Sequence, residues 1–413
     1  MNTKSNYEHR TATKALKLVL ADGSPVKSKE VLFTQTNHKF LFGCAGFDSV
    51  PLTNGYLNDE KKEETAASFR KYFKIFNYAT LPFYWGRFES QQGAPATEQL
   101  KKAAQWLVSQ GCTVKGHPLC WHTNTAEWLL NMNNADILAT QLKRINREVT
   151  DFKGLIDIWD VINENEVVIM PIFDKYDNGI TRICKDLGRI RTVKEVFAAA
   201  KQANTAATLL INDFNTTTSY EILIEGCLEA GIPIDAIGIQ SHMHQGYWGV
   251  EKTLKVLERF SHFNLPMHFT ENTIVSGHLM PPEIEDLNDY QLDEWPTTPE
   301  GEDRQAREVI QHYKTLFAHP LVESITWWDF KDGQWLGAPS GLLRSDSSSK
   351  PVYEELQKLI KSEWWTAPTL LSTDELGYVT LSGYQGEYDI TCVGKKSHFV
   401  LDKKEEPATI VMK

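Results

Sequence analysis

Two glutamates in this chain stand where packing gives no reason for them. Glu164 closes the run "WDVINE" (159–164), whose Val161 and Ile162 are core residues by type, and Glu271 sits at the end of the run "MHFTEN" (267–272). A carboxylate at the end of a buried strand is disfavoured by several kcal/mol, order of magnitude, unless it is paired. Asn163 beside Glu164 adds an amide to the same strand end. Two carboxylates brought to one bond can divide the work of cleaving an acetal. One gives a proton to the leaving oxygen, and the other attacks the anomeric carbon or activates water. A separation of about 5 to 5.5 Å gives retention and about 6.5 to 9.5 Å gives inversion.

Elements that could hold such a pair are visible in the surrounding pattern. From Leu41 to about Ser362 one phrase repeats eight times, a short apolar run followed by a polar stretch and an amphipathic segment. The runs are "FLFGCAG", "KIFNYAT", "TVKGHPLCW", "IDIWDVINE", "TLLINDFN", "AIGIQSHMH", "MHFTEN" and "ESITWWDF". The segments between them carry helix signals, as where Thr97 opens and Gly111 closes one, and Ser219 opens and Gly231 closes another. Near-continuous apolar strands alternating with amphipathic helices predict a parallel sheet covered by helices, and eight units predict an α/β fold of the (β/α)₈ TIM-barrel type. An open doubly wound sheet would want a glycine-rich first turn, which "FGCAGFD" supplies poorly.

In such a barrel the chemistry lies at the carboxyl ends of the strands. Those ends are polar throughout: His117, Trp121 and His122 on strand three, Asn163 and Glu164 on four, Asn212, Asp213 and Asn215 on five. Gln240, His242 and His244 end strand six, Glu271 and Asn272 strand seven, and Trp328, Asp329 and Asp332 strand eight. The tryptophans suit a sugar cleft, because a pyranose offers apolar C–H faces to an indole. The His-x-His of His242 and His244 could hold zinc with help from His117, His122 or Asp213. Hydrogen-bonding histidines beside a carboxylate explain the same residues, and no metal or cofactor is expected.

The ends of the chain read differently. Residues 1–40 hold a strand, an Asp22-Gly23 turn and a second strand, and residues 364–413 alternate with period two. Both are expected to join in one small accessory β-sandwich beside a barrel at 41–363. A net charge of −11 among 413 residues argues against nucleic acid or an anionic membrane as partner. The six cysteines have no metal-type or paired spacing and are expected to be reduced. "MNTKSNYEHR" lacks a secretory apolar core, so the expectation is a cytoplasmic protein, or a secreted or periplasmic one if a signal has been removed. Oligomeric state is not readable.

The motifs "GHPLCWH", "WDVINE", "LLINDFN", "IGIQSHMH", "FTEN" and "ITWWDFKDGQW" together resemble glycoside hydrolase family 10, the endo-β-1,4-xylanase family, in its order along the chain. The resemblance implies retaining hydrolysis of β-1,4-xylosidic bonds in xylan or xylo-oligosaccharides, with Glu164 as acid/base and Glu271 as nucleophile. It further implies that Asn163 contacts the sugar 2-hydroxyl and His242 orients Glu271. His117, Trp121, Gln240, Trp328 and Trp335 would line the sugar site, and the implied partner is a polysaccharide or oligosaccharide. Two positions depart from the family pattern. "TLPFYW" puts Tyr84 where the family has a sugar-binding lysine, with Thr80 and Leu81 in place of an acid and an amide, and Thr273 replaces an aspartate. The alternatives are a related retaining β-glycosidase for another sugar or aglycone, and a non-catalytic carbohydrate-binding barrel.

Overall fold

Fifteen strands form in the computed structural model, which describes residues 5–165, 173–404 and 407–413. The first two, β1 (Thr11–Val19) and β2 (Glu30–His38), precede a series of eight. These are β3 (Leu41–Ala45), β4 (Tyr78–Pro82), β5 (Thr113–His117), β6 (Ile158–Asn163), β7 (Thr208–Asp213), β8 (Ala236–Met243), β9 (Met267–Ile274) and β10 (Val322–Trp327). They close into a parallel barrel in sequence order, with β10 beside β3. Each apolar run supplies one strand, so the barrel expected from the pattern is the barrel that forms. Helices lie between successive strands, among them Thr97–Ser109, Asn134–Asp151 and Pro299–Phe317.

The helix ends differ in detail from the sequence reading. Thr97 is already helical rather than capping, and the second helix is capped by Thr217, whose hydroxyl accepts from the Ser219 N–H. Gly111 and Gly231 do end their helices, at φ +86° and +72°, where a side chain would be strained.

Two irregularities in the barrel decide which side chains face its interior. Successive residues of a regular strand point to opposite faces, so residues three apart cannot share one. Asp160 and Asn163 both reach inward, and the pairing of β6 with β7 slips between Asp160 and Ile162 to allow it. A second slip lets β9 place an extra residue opposite β8 between Phe269 and Glu271. As a result Thr270 and Glu271, neighbours in sequence, both contact Asn212. Such bulges re-aim side chains. A close approach adds a third constraint: a Cβ on Gly116 would lie 2.1 Å from the Trp159 ring, so only glycine lets that indole cross β5.

The last five strands are β11 (Thr369–Ser372), β12 (Tyr378–Tyr384), β13 (Gly386–Cys392), β14 (Lys395–Leu401) and β15 (Ala408–Val411). They combine with the first two into sheets of order β12-β1-β15 and β11-β2-β13-β14. Leu16, Leu18, Val31, Phe33, Leu381 and Ile390 from the two sheets share one core. The strands flanking the Asp22-Gly23 turn therefore belong to opposite sheets and do not pair as a hairpin. Compactness divides the chain into Phe42–Tyr353 and a second unit of Met1–Leu41 with Glu354–Lys413. All six cysteines are buried and free. No helix among the described residues is long and apolar enough to cross a membrane.

Candidate active site

Glu164 follows the last residue of β6 in a left-handed conformation, φ +58°, with its N–H held by the Asn212 carbonyl at 2.8 Å. Three donors meet its carboxyl: Trp121 Nε1 at 2.7 Å on Oε2, and Asn163 Nδ2 at 3.1 Å and Gln240 Nε2 at 3.2 Å on Oε1. Burial, then the charges of Glu271 and Asp213, push its pKa up to about 8. Glu271 behaves oppositely. Its burial favours the neutral form, but His117, His242 and Lys115 outweigh that and hold it below the ordinary glutamate range. His242 Nε2 lies 3.1 Å from Oε2 and Asn212 Nδ2 donates to Oε1 at 3.1 Å. One carboxyl is therefore kept protonated and the other ionised near neutral pH, the division of labour that acid-plus-nucleophile chemistry needs.

An amide chain joins the two. Asn163 Oδ1 accepts from Asn212 Nδ2 at 2.6 Å and from Gln240 Nε2 at 3.1 Å, so Asn163 has no acceptor capacity left and retains one N–H to give. Asn212 Oδ1 in turn accepts from Thr270 at 2.6 Å. Every group in this relay is fixed by another, which pre-organises the carboxyls before any ligand arrives.

Below Glu271 lies a buried charge cluster. Lys115 Nζ and His117 Nδ1 both meet Asp160 Oδ2, at 2.6 and 2.7 Å, and His117 Nε2 is 3.9 Å from Glu271 Oε1. Burial works against the Asp160 charge, but Lys115 and His117 overcome it and lower its pKa. Lys115 and Asp160 are both fully buried. Lys115→Met is expected to destabilise the fold by about 3 to 5 kcal/mol in denaturant titration, because it strands a buried carboxylate. Asp160 stabilisation is full above the unfolded carboxyl pKa of about 3.9 and is lost as pH falls through the lower folded value, so the variant's deficit narrows in acid.

Aromatic side chains wall the site. Tyr84 packs on His117 and Trp121 at ring distances of 5.7 and 5.5 Å, and Phe47 meets Tyr84 and Trp328 edge-on. Burial, then the charges of Glu271 and Glu164, raise the Tyr84 hydroxyl far above its usual pKa, so it stays a neutral donor. Thr80 and Leu81 are fully buried and out of a ligand's reach. Trp335 lies 4.4 Å from the His242 ring and 5.1 Å from His244. Thr273 Oγ1 sits between those histidines, 3.4 Å from His242 Nδ1 and 3.3 Å from His244 Nδ1. Burial lowers His244 to about 3, which keeps it neutral. Among the described residues no group of three His, Cys, Asp or Glu is arranged to hold a metal ion.

All ten residues singled out from sequence therefore gather at one end of the barrel. Three further ones were given no role there. Asn212 was noted only as one of the polar strand ends, yet it bonds Asn163 and Glu271, and its place at the end of an apolar run was the available signal. Lys115 and Asp160 lie inside apolar runs, where a charge is itself anomalous. Asp213 braces its loop, accepting from the Asn215 N–H at 2.9 Å.

Two oppositely titrating carboxyls in an aromatic-walled barrel mouth make a site with the parts that acid-assisted chemistry by a carboxyl pair requires. The chain belongs to glycosyl hydrolase family 10, whose model matches residues 51–359. It is 24% identical over 397 residues to the anti-sigma-I factor RsgI6 of Acetivibrio thermocellus, covering 93% of this chain and 45% of that protein. Endo-1,4-beta-xylanase B of Thermotoga neapolitana is 24% identical over 334 residues, 77% of this chain and 86% of the relative. Among solved structures, xylanase 10B of Thermotoga petrophila in complex with xylobiose superposes with a TM-score of 0.62 at 20% identity, covering 79% of this chain and 95% of that one. The chain spans about half the length of several curated relatives it matches.

Proposed function

We propose that the protein hydrolyses β-1,4-xylosidic bonds in xylan or xylo-oligosaccharides with net retention, through a covalent glycosyl intermediate on Glu271. The observation that carries the division of roles is that Glu271 is held by His242 and Asn212, each at 3.1 Å, and kept below the ordinary range, while Glu164 is pushed up to about 8; retention is what the family 10 pattern implies. In the first step the Glu164 proton passes to the leaving oxygen as a Glu271 oxygen attacks the anomeric carbon. The product is a neutral ester on Glu271. The repulsion that helped keep Glu164 protonated is then gone, and Glu164 takes a proton from the water that cleaves the ester. The second N–H of Asn163 would donate to a sugar 2-hydroxyl, and His242 and Asn212 hold the nucleophile. Family membership and relatives named as xylanases support the sugar.

Proton NMR of the first product formed from xylotriose tests the stereochemistry. The β-anomer is expected to appear before mutarotation, and initial α-product would replace retention by inversion. A panel of xylan, cello-oligosaccharides and mixed-linkage glucans tests the sugar. The neutral Tyr84 and Thr273, at positions where the family pattern has charged residues, favour a second reading in which a different sugar or aglycone is accepted. Turnover of glucosides alone would select it.

A further inference from the structure

A row of four side chains runs along the seam between β8 and β9, beginning at Glu271. Beyond the slip on β9 the two strands pair regularly, Gln240 with Glu271 and His242 with Thr273. Alternation then points Glu271 and Thr273 on one strand, and His242 and His244 on the other, to the same face. Glu271 Oε2 lies 3.1 Å from His242 Nε2, His242 Nδ1 lies 3.4 Å from Thr273 Oγ1, and Thr273 Oγ1 lies 3.3 Å from His244 Nδ1. The row stops at His244, whose Nε2 is buried without a hydrogen-bond partner among the described residues. Trp335 packs on both imidazoles, and the Met280 N–H holds the His244 carbonyl at 3.0 Å. Thr273 and His244 have no exposed surface, so the directions of these bonds are set within the row.

Thr273 has a single O–H to give, and where it points decides the protons on either side. Burial lowers His244 to about 3, so its ring is uncharged and carries one proton. On Nε2 that proton would be a buried N–H with no acceptor, and orphaned donors are rarer in proteins than under-satisfied acceptors. It therefore sits on Nδ1 and is donated to Thr273 Oγ1. The hydroxyl's other partner is His242 Nδ1, and the Thr273 O–H is donated there. A ring nitrogen that accepts has no proton of its own, which leaves the His242 proton on Nε2, facing Glu271. The reverse direction would aim a bare His242 lone pair at the Glu271 carboxylate and strand the N–H of His244.

We propose that Thr273 is a positioning residue for the reaction: its hydroxyl, oriented by His244, fixes His242 as an uncharged donor with its proton on Nε2, held against Glu271. The proposal rests on the glycosidase reading above and adds to it how the attacking carboxylate is kept in place. The charge on the ring matters once the sugar ester forms. A charged imidazole would lose its nearest counter-charge when Glu271 becomes neutral, and a buried charge without a partner is strongly disfavoured. An uncharged donor loses only one hydrogen bond.

The test is ¹⁵N NMR of the full chain labelled in its twelve histidines, with the His242 signals identified by their loss in H242Q. At neutral pH the expected result is a pyrrole-type nitrogen at Nε2 and a pyridine-type nitrogen at Nδ1. T273V keeps the side-chain shape and removes the hydroxyl. It is expected to lower kcat on xylotriose about tenfold, the scale of one hydrogen bond. KM should stay within about twofold, since the row ends on the reacting carboxylate and not on bound sugar. T273S restores the hydroxyl and is expected to return kcat to within about twofold of the native value. A native His242 protonated at Nδ1, alone or together with Nε2, overturns the proposal whatever the kinetics. A native-like kcat in T273V removes Thr273 from the positioning of Glu271. The native spectrum needs no substrate, so an absence of turnover on every xylo-oligosaccharide would strike the glycosidase reading while the tautomer is still decided.

Discussion

Glu271→Ala is expected to lower kcat on xylo-oligosaccharides by about 10⁵-fold, the scale seen when a nucleophile is removed from a unit that acts together. The size follows from what the side chain holds together. Its Oε1 and Oε2 are met by Asn212 and His242, each at 3.1 Å, and His117 lies below at 3.9 Å, so no neighbouring group can take its place without breaking that arrangement. Truncation opens a space on the face of the sugar away from the leaving group. Azide added to the variant should enter there and attack with a single inversion, giving an α-glycosyl azide from a β-linked substrate. Mass spectrometry and NMR of the product check this, and an inert variant that yields no azide adduct from an activated aryl glycoside would count against Glu271 as the attacking group.

The second large effect concerns Glu164. Glu164→Gln is expected to reduce kcat on unactivated oligosaccharides by about 10² to 10⁴-fold, the usual worth of a positioned general acid. The loss should shrink for aryl glycosides whose leaving group needs no proton. The pH profile carries the sharper signature. Glu164 must be protonated to act, so native kcat/KM falls as pH rises through about 8. Glu271 must be ionised, and its lowered pKa puts the acid limb below the ordinary glutamate range. E164Q has no proton to lose, and its basic limb should disappear while the acid limb stays. Retention of a basic limb near pH 8 in the variant would assign that titration to another group.

The structure also separates what was readable in the chain from what was not. Each of the eight apolar runs became a barrel strand because a strand buried on both faces needs continuous apolar residues, a pattern local to the sequence. The two glutamates were legible for the converse reason, since a charge ending such a run has no packing purpose. Tyr84 and Thr273 stood out as neutral residues in a charged setting, but their contacts did not. That Thr273 would sit between His242 and His244, and that Thr80 and Leu81 would turn away from the mouth, depends on which face each residue takes.

Face is set by register, and register by slips that no local pattern announces. The extra residue on β9 turns both Thr270 and Glu271 toward Asn212, and the slip on β6 lets Asp160 and Asn163 share the interior. The buried Lys115–Asp160 pair is similar: each charge is unfavourable alone, and only the closed ring brings them to 2.6 Å. The terminal strands show the same limit, since period-two alternation gave strands but not the separation of β1 and β2 into different sheets.

By itself, then, the sequence determined the number and order of barrel strands, the strand-end positions of the two carboxyls, and the aromatic and amide character around them. Only the tertiary structure decided that one carboxyl is pushed up to about 8 while the other is held down, and that Asn212 links Asn163 to Glu271. Hydrophobic periodicity is a property of neighbours in the chain. Titration depends on charges brought together from distant positions, where the strength of each interaction is fixed by distance and burial.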